Sequence, residues 1–173
     1  MSSFKIGVLS DSHTKEELQK EAIKKLISEG ANCLLHLGDF VLPSNLIALK
    51  EAGLPYASVY GNNDHQLIDM QSQYKIYKEP YYLKIKDTTI KMMHLPYYLS
   101  PDSNIVLFGH THQFSVEFKN STLFLNPGEV CAREKNLTEC ALIEVFKDRY
   151  LVKQLFKEPQ ANKWQSKIYK FKG

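Results

Sequence analysis

Four strand-like stretches of this chain each run straight into a short cluster of aspartate, asparagine or histidine. Lys5–Ser10 ends at Asp11-Ser12-His13, and Cys33–Leu37 ends at Gly38-Asp39. Tyr56–Tyr60 ends at Gly61-Asn62-Asn63-Asp64, and Asn104–Phe108 at Gly109-His110-Thr111-His112. A lone His94 follows a fifth stretch, Thr89–Met93. A strand that feeds a loop presents its last side chains at one rim of a sheet, so the fold must be one in which these ends can converge. Neutral imidazoles and carboxylates are the usual ligands of first-row divalent cations. The pattern therefore predicts a site for two metal ions at a common sheet rim.

The rest of the chain supports such a sheet. Thr14-x-x-Glu17 reads as a capping box opening a helix. Leu18, Ala22, Ile23, Leu26 and Ile27 give that helix one apolar face, and Gly30 stops it. A second helix is predicted from Pro43 to Ala52, closed by Gly53. This β-α-β-α-β order implies parallel strands joined by right-handed crossovers. Residues 65–80 read as one short helix and a loop. Beyond Pro80 strands follow strands: a hairpin over Tyr82–Ile85 and Thr89–Met93, then Ser115–Phe118, Leu123–Leu125, Cys140–Phe146 and Arg149–Phe156. The economical architecture is a single α/β domain over residues 1–173, with two sheets packed face to face and helices outside.

Composition excludes several classes. A chain of 173 residues with 43% apolar and 24% charged side chains has the make-up of one ordinary folded domain. The first residues lack the apolar run of a secretory leader, and no stretch approaches the roughly 20 apolar residues of a membrane span. Cys33, Cys131 and Cys140 are an odd set without a CxxC pair, which argues for core thiols in a reducing, cytoplasmic setting. The net charge of +3 is unevenly placed, because residues 147–173 carry eight Lys/Arg against Asp148 and Glu158. That basic tail (157–173), interleaved with Trp164, Tyr169 and Phe171, has the ingredients of a nucleic-acid contact. A last strand packing its aromatics on the domain explains the same pattern and is preferred.

Within the clusters, Asp11 and His13 sit one residue apart at the same strand end. The two oxygens of Asp39 suit a carboxylate shared by cations about 3.5–4 Å apart. Asn62 offers a neutral hard oxygen, and Gly61 lets the backbone come close. By itself Asn62-Asn63-Asp64 would read as a turn. His110 and His112 fit two separate ions across a tight turn, whereas His36 and His65 are read as non-ligands, His36 as a hydrogen-bond partner behind a ligand.

In order, D-x-H, GD, GN-x-D, an isolated His and GHTH, followed by Asn126-Pro127-Gly128, closely resemble the calcineurin-like metallophosphoesterase superfamily. Size and the lack of room for a cap domain resemble its compact single-domain, YfcE-type phosphodiesterase branch. The resemblance spans about residues 4–145. It implies a four-layer αββα sandwich of two mixed β-sheets flanked by helices. One ion would be held by Asp11, His13 and His112 with Asp39 shared, the other by Asp39, Asn62, His94 and His110. It implies two divalent cations, Mn²⁺ first, with Fe, Zn, Ni or Mg as other occupants. The reaction implied is phosphodiester hydrolysis by in-line attack of a metal-bridging hydroxide, with Asp39, Asn62, Asn63 and His94 in the catalytic set. Two cations, two aspartates and one hydroxide leave a formal charge of about +1, which favours a phosphate-ester substrate.

Three positions depart from the family pattern. Asn63 stands where many relatives carry a histidine thought to protonate the leaving oxygen. Asparagine cannot serve as that acid, though it can hydrogen-bond a phosphate. His94-Leu95-Pro96 replaces His-Gly, predicting a more crowded backbone, and the short stretch to Gly109 predicts a missing helix. Glu129 replaces the serine of Asn-Pro-Gly-Ser and, if aimed inward, would repel a highly charged substrate. The retromer's phosphoesterase-like subunit, a binding platform with a degraded metal site, represents the alternative of a non-catalytic scaffold. Because all the ligand positions are filled here, the enzyme is favoured. A nuclease guided by the basic tail is a third reading. Leu95, Pro96, Tyr97, Tyr98 and Leu99 are a candidate rim for a substrate or a second subunit in a homo-oligomer, and ordinary packing accounts for them equally.

Overall fold

The computed structural model describes residues 3–172. Strand β1 (Phe4–Leu9) leads into α1 (Glu16–Ser28), β2 (Cys33–His36), α2 (Pro43–Glu51) and β3 (Tyr56–Val59). A 3-10 helix (His65–Ser72) and β4 (Ile76–Tyr77) complete the α/β part. Strands β5 (Tyr81–Ile85), β6 (Thr88–Met92), β7 (Ile105–Leu107), β8 (Phe114–Lys119) and β9 (Thr122–Pro127) follow. The chain ends in β10 (Thr138–Val145), β11 (Arg149–Lys157) and β12 (Gln165–Lys172).

These strands form two mixed sheets. The seven-stranded sheet has the order β12-β11-β10-β1-β2-β3-β4, and the five-stranded sheet β5-β6-β7-β9-β8. Strands β1 to β4 run parallel, as the helical crossovers require, and β10 closes antiparallel on β1. In the second sheet β6, β7 and β9 are parallel, with β5 and β8 antiparallel at the edges.

Alternation along each strand decides which layer it serves. Phe4, Ile6 and Val8 of β1 and Ala141, Ile143 and Val145 of β10 face the core between the sheets, where they meet Ile90, Met92, Ile105 and Leu107. Leu9, Leu34, Cys140 and Leu142 face the other way, against Ala22, Ile23 and Leu26 of α1 and Leu46 and Leu49 of α2. Fully burying one such aliphatic side chain contributes about 1.5–3 kcal/mol. Gly7 makes the helical layer possible, since a Cβ there would lie 2.8 Å from Leu34 Cδ2 and 3.1 Å from Leu26 Cδ1.

The outer face of the five-stranded sheet carries no helix among the described residues, as the short stretch after His94 predicts. The crossover from β6 to β7 runs over it in turns instead. Lys91, on the outward face of β6, is buried beneath that crossover and donates to Ser100 Oγ at 2.8 Å and Asp102 Oδ1 at 3.0 Å. Tyr82, its neighbour on β5, donates to Asp102 Oδ2 at 2.8 Å.

Other expectations need correction. The capping box at Thr14 does not form: α1 begins at Glu16, its cap is Lys15, and no side chain caps it. Glu17 instead faces solvent and pairs with Lys20. The region read as helix and loop also supplies β4, a two-residue strand too short to leave a periodic pattern. The basic tail is the edge strand β12, with Trp164, Tyr169 and Phe171 packed on the domain. The three cysteines are buried free thiols, and no described helix is long and apolar enough to cross a membrane.

Filling the Gly7 contact should be costly. Gly7→Val is expected to destabilise by about 1–3 kcal/mol. For a domain of this size that lowers the melting temperature by at least roughly 2–4 °C, readable in a thermal melt, and an unchanged melt would show that α1 has room to move.

Candidate metal centre

The loops after β1, β2, β3, β6 and β7 meet at one end of the sandwich. Their backbones are forced into the left-handed region at Asp11 (φ 56°), His13 (46°), Asp39 (59°), His110 (67°) and His112 (58°). For non-glycine residues such conformations cost on the order of 1–3 kcal/mol each and persist only where surrounding contacts impose them. Close approach adds to the constraint. A Cβ on Gly61 would collide with Asp39 Oδ1, and one on Gly109 would collide with Ser10 Oγ and lie 3.1 Å from Asp11 Oδ2.

The structure brings all eight predicted site residues together in two groups that share Asp39. On one side His112 Nε2 lies 3.3 Å from Asp11 Oδ1, and His13 Nε2 lies 4.0 Å from Asp11 Oδ1 and 3.5 Å from Asp39 Oδ2. On the other, His94 Nε2 lies 3.5 Å from Asp39 Oδ1 and 2.9 Å from Asn62 Oδ1, which is 3.2 Å from His110 Nδ1. Metal–ligand bonds of about 2.1 Å separate adjacent ligand atoms by roughly 3.0–3.4 Å, and the observed separations run from that spacing to somewhat wider, up to 4.0 Å between His13 and Asp11. Asp11 Oδ1 and His13 Nε2 are also buried polar atoms without a hydrogen-bond partner. Leaving such atoms unpaired costs free energy that a cation would recover. The donor set fits divalent ions.

His94 and His112 are each held from behind so that one nitrogen is left to ligate. His94 Nδ1 donates to the Leu37 carbonyl at 2.7 Å, which leaves the Nε2 lone pair facing Asp39 and Asn62. His112 Nδ1 donates to the buried Glu129 carboxylate. Glu129 therefore points at the back of a histidine and does not enter the substrate side. Its other oxygen accepts the N–H groups of Glu134 at 2.7 Å and Lys135 at 2.9 Å. Leu95 does not need a glycine's freedom, since its φ is not positive, and its N–H reaches Glu79 Oε2 at 2.9 Å.

Asn63 differs from its expected role. Its N–H lies 3.0 Å from Asp39 Oδ1 and its amide donates to Asp39 Oδ2 at 2.8 Å, so it orients the shared carboxylate. Asp64, which reads as a turn residue, is the buckle between two loops, accepting from the N–H groups of Asp39, Val41 and Gly61 at 2.7–2.8 Å. Asn45 ties α2 to the same loops by donating to the carbonyls of His13 and Phe40. His36 touches no ligand: its Nδ1 accepts from Gly38 N–H at 3.1 Å, so its Nε2 carries the proton toward Ser12 Oγ at 2.8 Å. His65 is exposed on the 3-10 helix, as a non-ligand should be. No spacing rule could have found Glu79, Glu129 or Asn45, because their partners lie on other elements.

Protonation follows from burial and neighbours. Burial alone would raise Asp11, but the neighbouring His112 and His94 imidazoles and the Ser10 hydroxyl outweigh it and hold the carboxyl below its usual range. Burial lowers His13, against the pull of Asp39. Burial works against the charged form of His112 too, yet its close approach to Asp11, Cys131 and Glu129 pushes it up to about 11. His36 is driven down to about 3 by burial.

A family model described as the calcineurin-like phosphoesterase superfamily domain matches residues 4–148. The phosphodiesterase MJ0936 of Methanocaldococcus jannaschii is 25% identical over 166 residues, covering 85% of this chain and 96% of its own. The solved YfcE phosphoesterase of E. coli superposes with a TM-score of 0.68 at 20% identity, over 85% of this chain and 91% of its own. A Vps29 structure from Entamoeba histolytica superposes with a TM-score of 0.77 at 16% identity, over 97% and 99% of the two chains.

Two expectations follow from these contacts. Glu129→Gln should weaken divalent-metal binding by about ten- to a hundredfold, measurable by calorimetry, and unchanged affinity would sever Glu129 from the site. His36 remains neutral in the native state down to about pH 3, whereas in the unfolded chain it takes up a proton below about 6.5. Its contribution is thus intact above pH 6.5 and falls by about 1.4 kcal/mol per pH unit below it. In metal-free urea titrations the stability gap between wild type and His36→Gln should narrow as pH falls from 6.5 to 4.5, and a constant gap would contradict the assignment.

Proposed function

The chain belongs to the calcineurin-like phosphoesterase superfamily, and we propose that it works as a dinuclear metal-dependent phosphodiesterase of the compact single-domain branch. The observation that carries this reading is the division of Asp39, one oxygen toward His13 and the other toward His94. Asp11, His13, His112 and Asp39 would hold one ion, and Asp39, Asn62, His94 and His110 the other. Mn²⁺ is the proposed working ion of this mixed nitrogen and oxygen set. When bound, two such cations supply the positive charge that draws in a phosphate ester and acidify the water that hydrolyses it.

The chain's own residues set the limits of that reaction. Asn63 fixes the shared carboxylate but cannot donate a proton to a departing oxygen. Substrates with good leaving groups, such as phenolic esters, are therefore the proposed preference. His110 and Asn62 are the exposed ligand candidates and both belong to the second group, which makes the second ion the more readily lost. The free, buried thiols support work in a reducing cytoplasm. The archaeal relative named a phosphodiesterase, matched over nearly its full length, supports diesters as the substrate class. The Vps29 fold match favours the scaffold alternative, and the filled donor set here favours the enzyme. A nucleic-acid role for β12 is not favoured, since its aromatics are spent on packing.

The deciding experiment uses chelator-stripped protein with an activated phosphodiester and the matching monoester, with and without Mn²⁺. Diester turnover restored by metal is expected. Asp39→Ala should reduce it at least about a hundredfold, because residues that only orient ligands already cost ten- to a hundredfold. His110→Ala should bind one ion where wild type binds two. Asn63→His should raise activity on alkyl esters by supplying a proton donor. No turnover with any divalent ion, despite two ions bound per chain, would leave the scaffold as the better reading.

A further inference from the structure

Arg133 enters the centre from a direction that the ligand pattern does not anticipate. Its Nη2 lies 3.3 Å from His112 Nε2, the nitrogen that faces Asp11 Oδ1 at 3.3 Å. With Nδ1 of that ring engaged by Glu129, the guanidinium stands on the metal-facing side of His112. A fixed positive charge thus already sits beside the first group of ligands.

The loop that carries Arg133 is pinned while its side chain is loose. Ala132 takes a left-handed turn (φ 53°), and Glu129 holds the backbone N–H groups of Glu134 and Lys135. The Arg133 side chain is 55% exposed, and apart from His112 its polar contact is Glu134, 3.5 Å from Nε. Arg133 itself lines a groove of about 380 Å³, together with His13, Thr14, Lys15, Val41, Cys131 and Ala132. Lys15 is exposed in the same groove, so the guanidinium shares it with a second cation beside His13. A planar guanidinium with a paired ammonium is a natural grip for phosphate oxygens.

We propose that Arg133, held against His112 Nε2 at the mouth of the groove it lines, opposes an ion at the Asp11–His112 group, and that an ion bound there displaces the guanidinium along that groove to hold the substrate's phosphate. The two positive charges exclude each other, since both lie against His112 Nε2. Arg133 is then a positioning residue linking metal loading to substrate capture. An unloaded centre keeps the guanidinium against His112, and a loaded centre frees it for phosphate. The phosphate role rests on the phosphoesterase reading above, whereas the exclusion of metal by arginine does not.

Calorimetry on the stripped full-length protein tests the first role. Arg133→Ala should bind Mn²⁺ several-fold more tightly than wild type. Arg149→Ala, which removes one positive charge far from the centre, should match wild type. Inorganic phosphate titrated into the Mn²⁺-loaded protein tests the second. Arg133→Ala should bind it about tenfold or more weakly, with Arg133→Lys between the two, and diester kinetics should show KM raised more than kcat is lowered. Unchanged or weaker Mn²⁺ binding by Arg133→Ala overturns the exclusion. Unchanged phosphate affinity overturns the clamp. A wild-type protein that takes up Mn²⁺ but binds no phosphate overturns the phosphoesterase reading and the clamp together, while the Mn²⁺ comparison still decides the exclusion.

Discussion

The centre depends on one buried carboxylate facing two ways. Asp39 is 2% exposed, and its oxygens lie 3.5 Å from His13 Nε2 and from His94 Nε2. These histidines come from the ends of strands in different sheets, so the carboxylate also fixes how the sheets meet at this rim. Its orientation is overdetermined. Asn63 bonds both oxygens, and Asp64 holds the backbone N–H of Asp39 itself. A carboxylate so constrained loses little further entropy on binding a cation, which is the physical content of preorganisation.

The remaining framework serves that geometry. Asp11 and Asp39 leave parallel neighbouring strands β1 and β2, whereas His94 and His110 follow the parallel pair β6 and β7. Parallel pairing places like ends side by side, so each sheet offers its loops in one bundle. The core between the sheets then sets the distance between the bundles. Left-handed backbone at five of the ligand candidates turns their side chains inward over very short loops.

Much of this was legible in the residues. Buried strands ending in Asp, Asn and His carry a two-residue or near-continuous apolar signal, and a parallel order follows from helices of sufficient length. The eight site residues lie together because every one of them follows a strand end that could be read locally. What escaped reading depends on partners remote in sequence. Glu129 looked like an acid misplaced from a serine motif, and only the fold shows His112 Nδ1 waiting for it. Asp64 looked like a turn residue because its three N–H partners are spread over Asp39, Val41 and Gly61. Thr14 failed as a cap because the chain leaves the Asp11–His13 loop too tightly for a box to close, with Lys15 N–H bonded to the Ser12 carbonyl.

The strand order also fixes when the centre can exist. β1, the first strand made, lies between β2 and β10, and β10 ends at Val145. The Asp11 carboxylate takes the N–H of His110, 99 residues away. Contacts that distant must await well over half of the chain, and loops that long are slow to close. During synthesis the early ligands emerge without their later partners. The full set of candidate ligands therefore comes together only once the two sheets have met, late in folding.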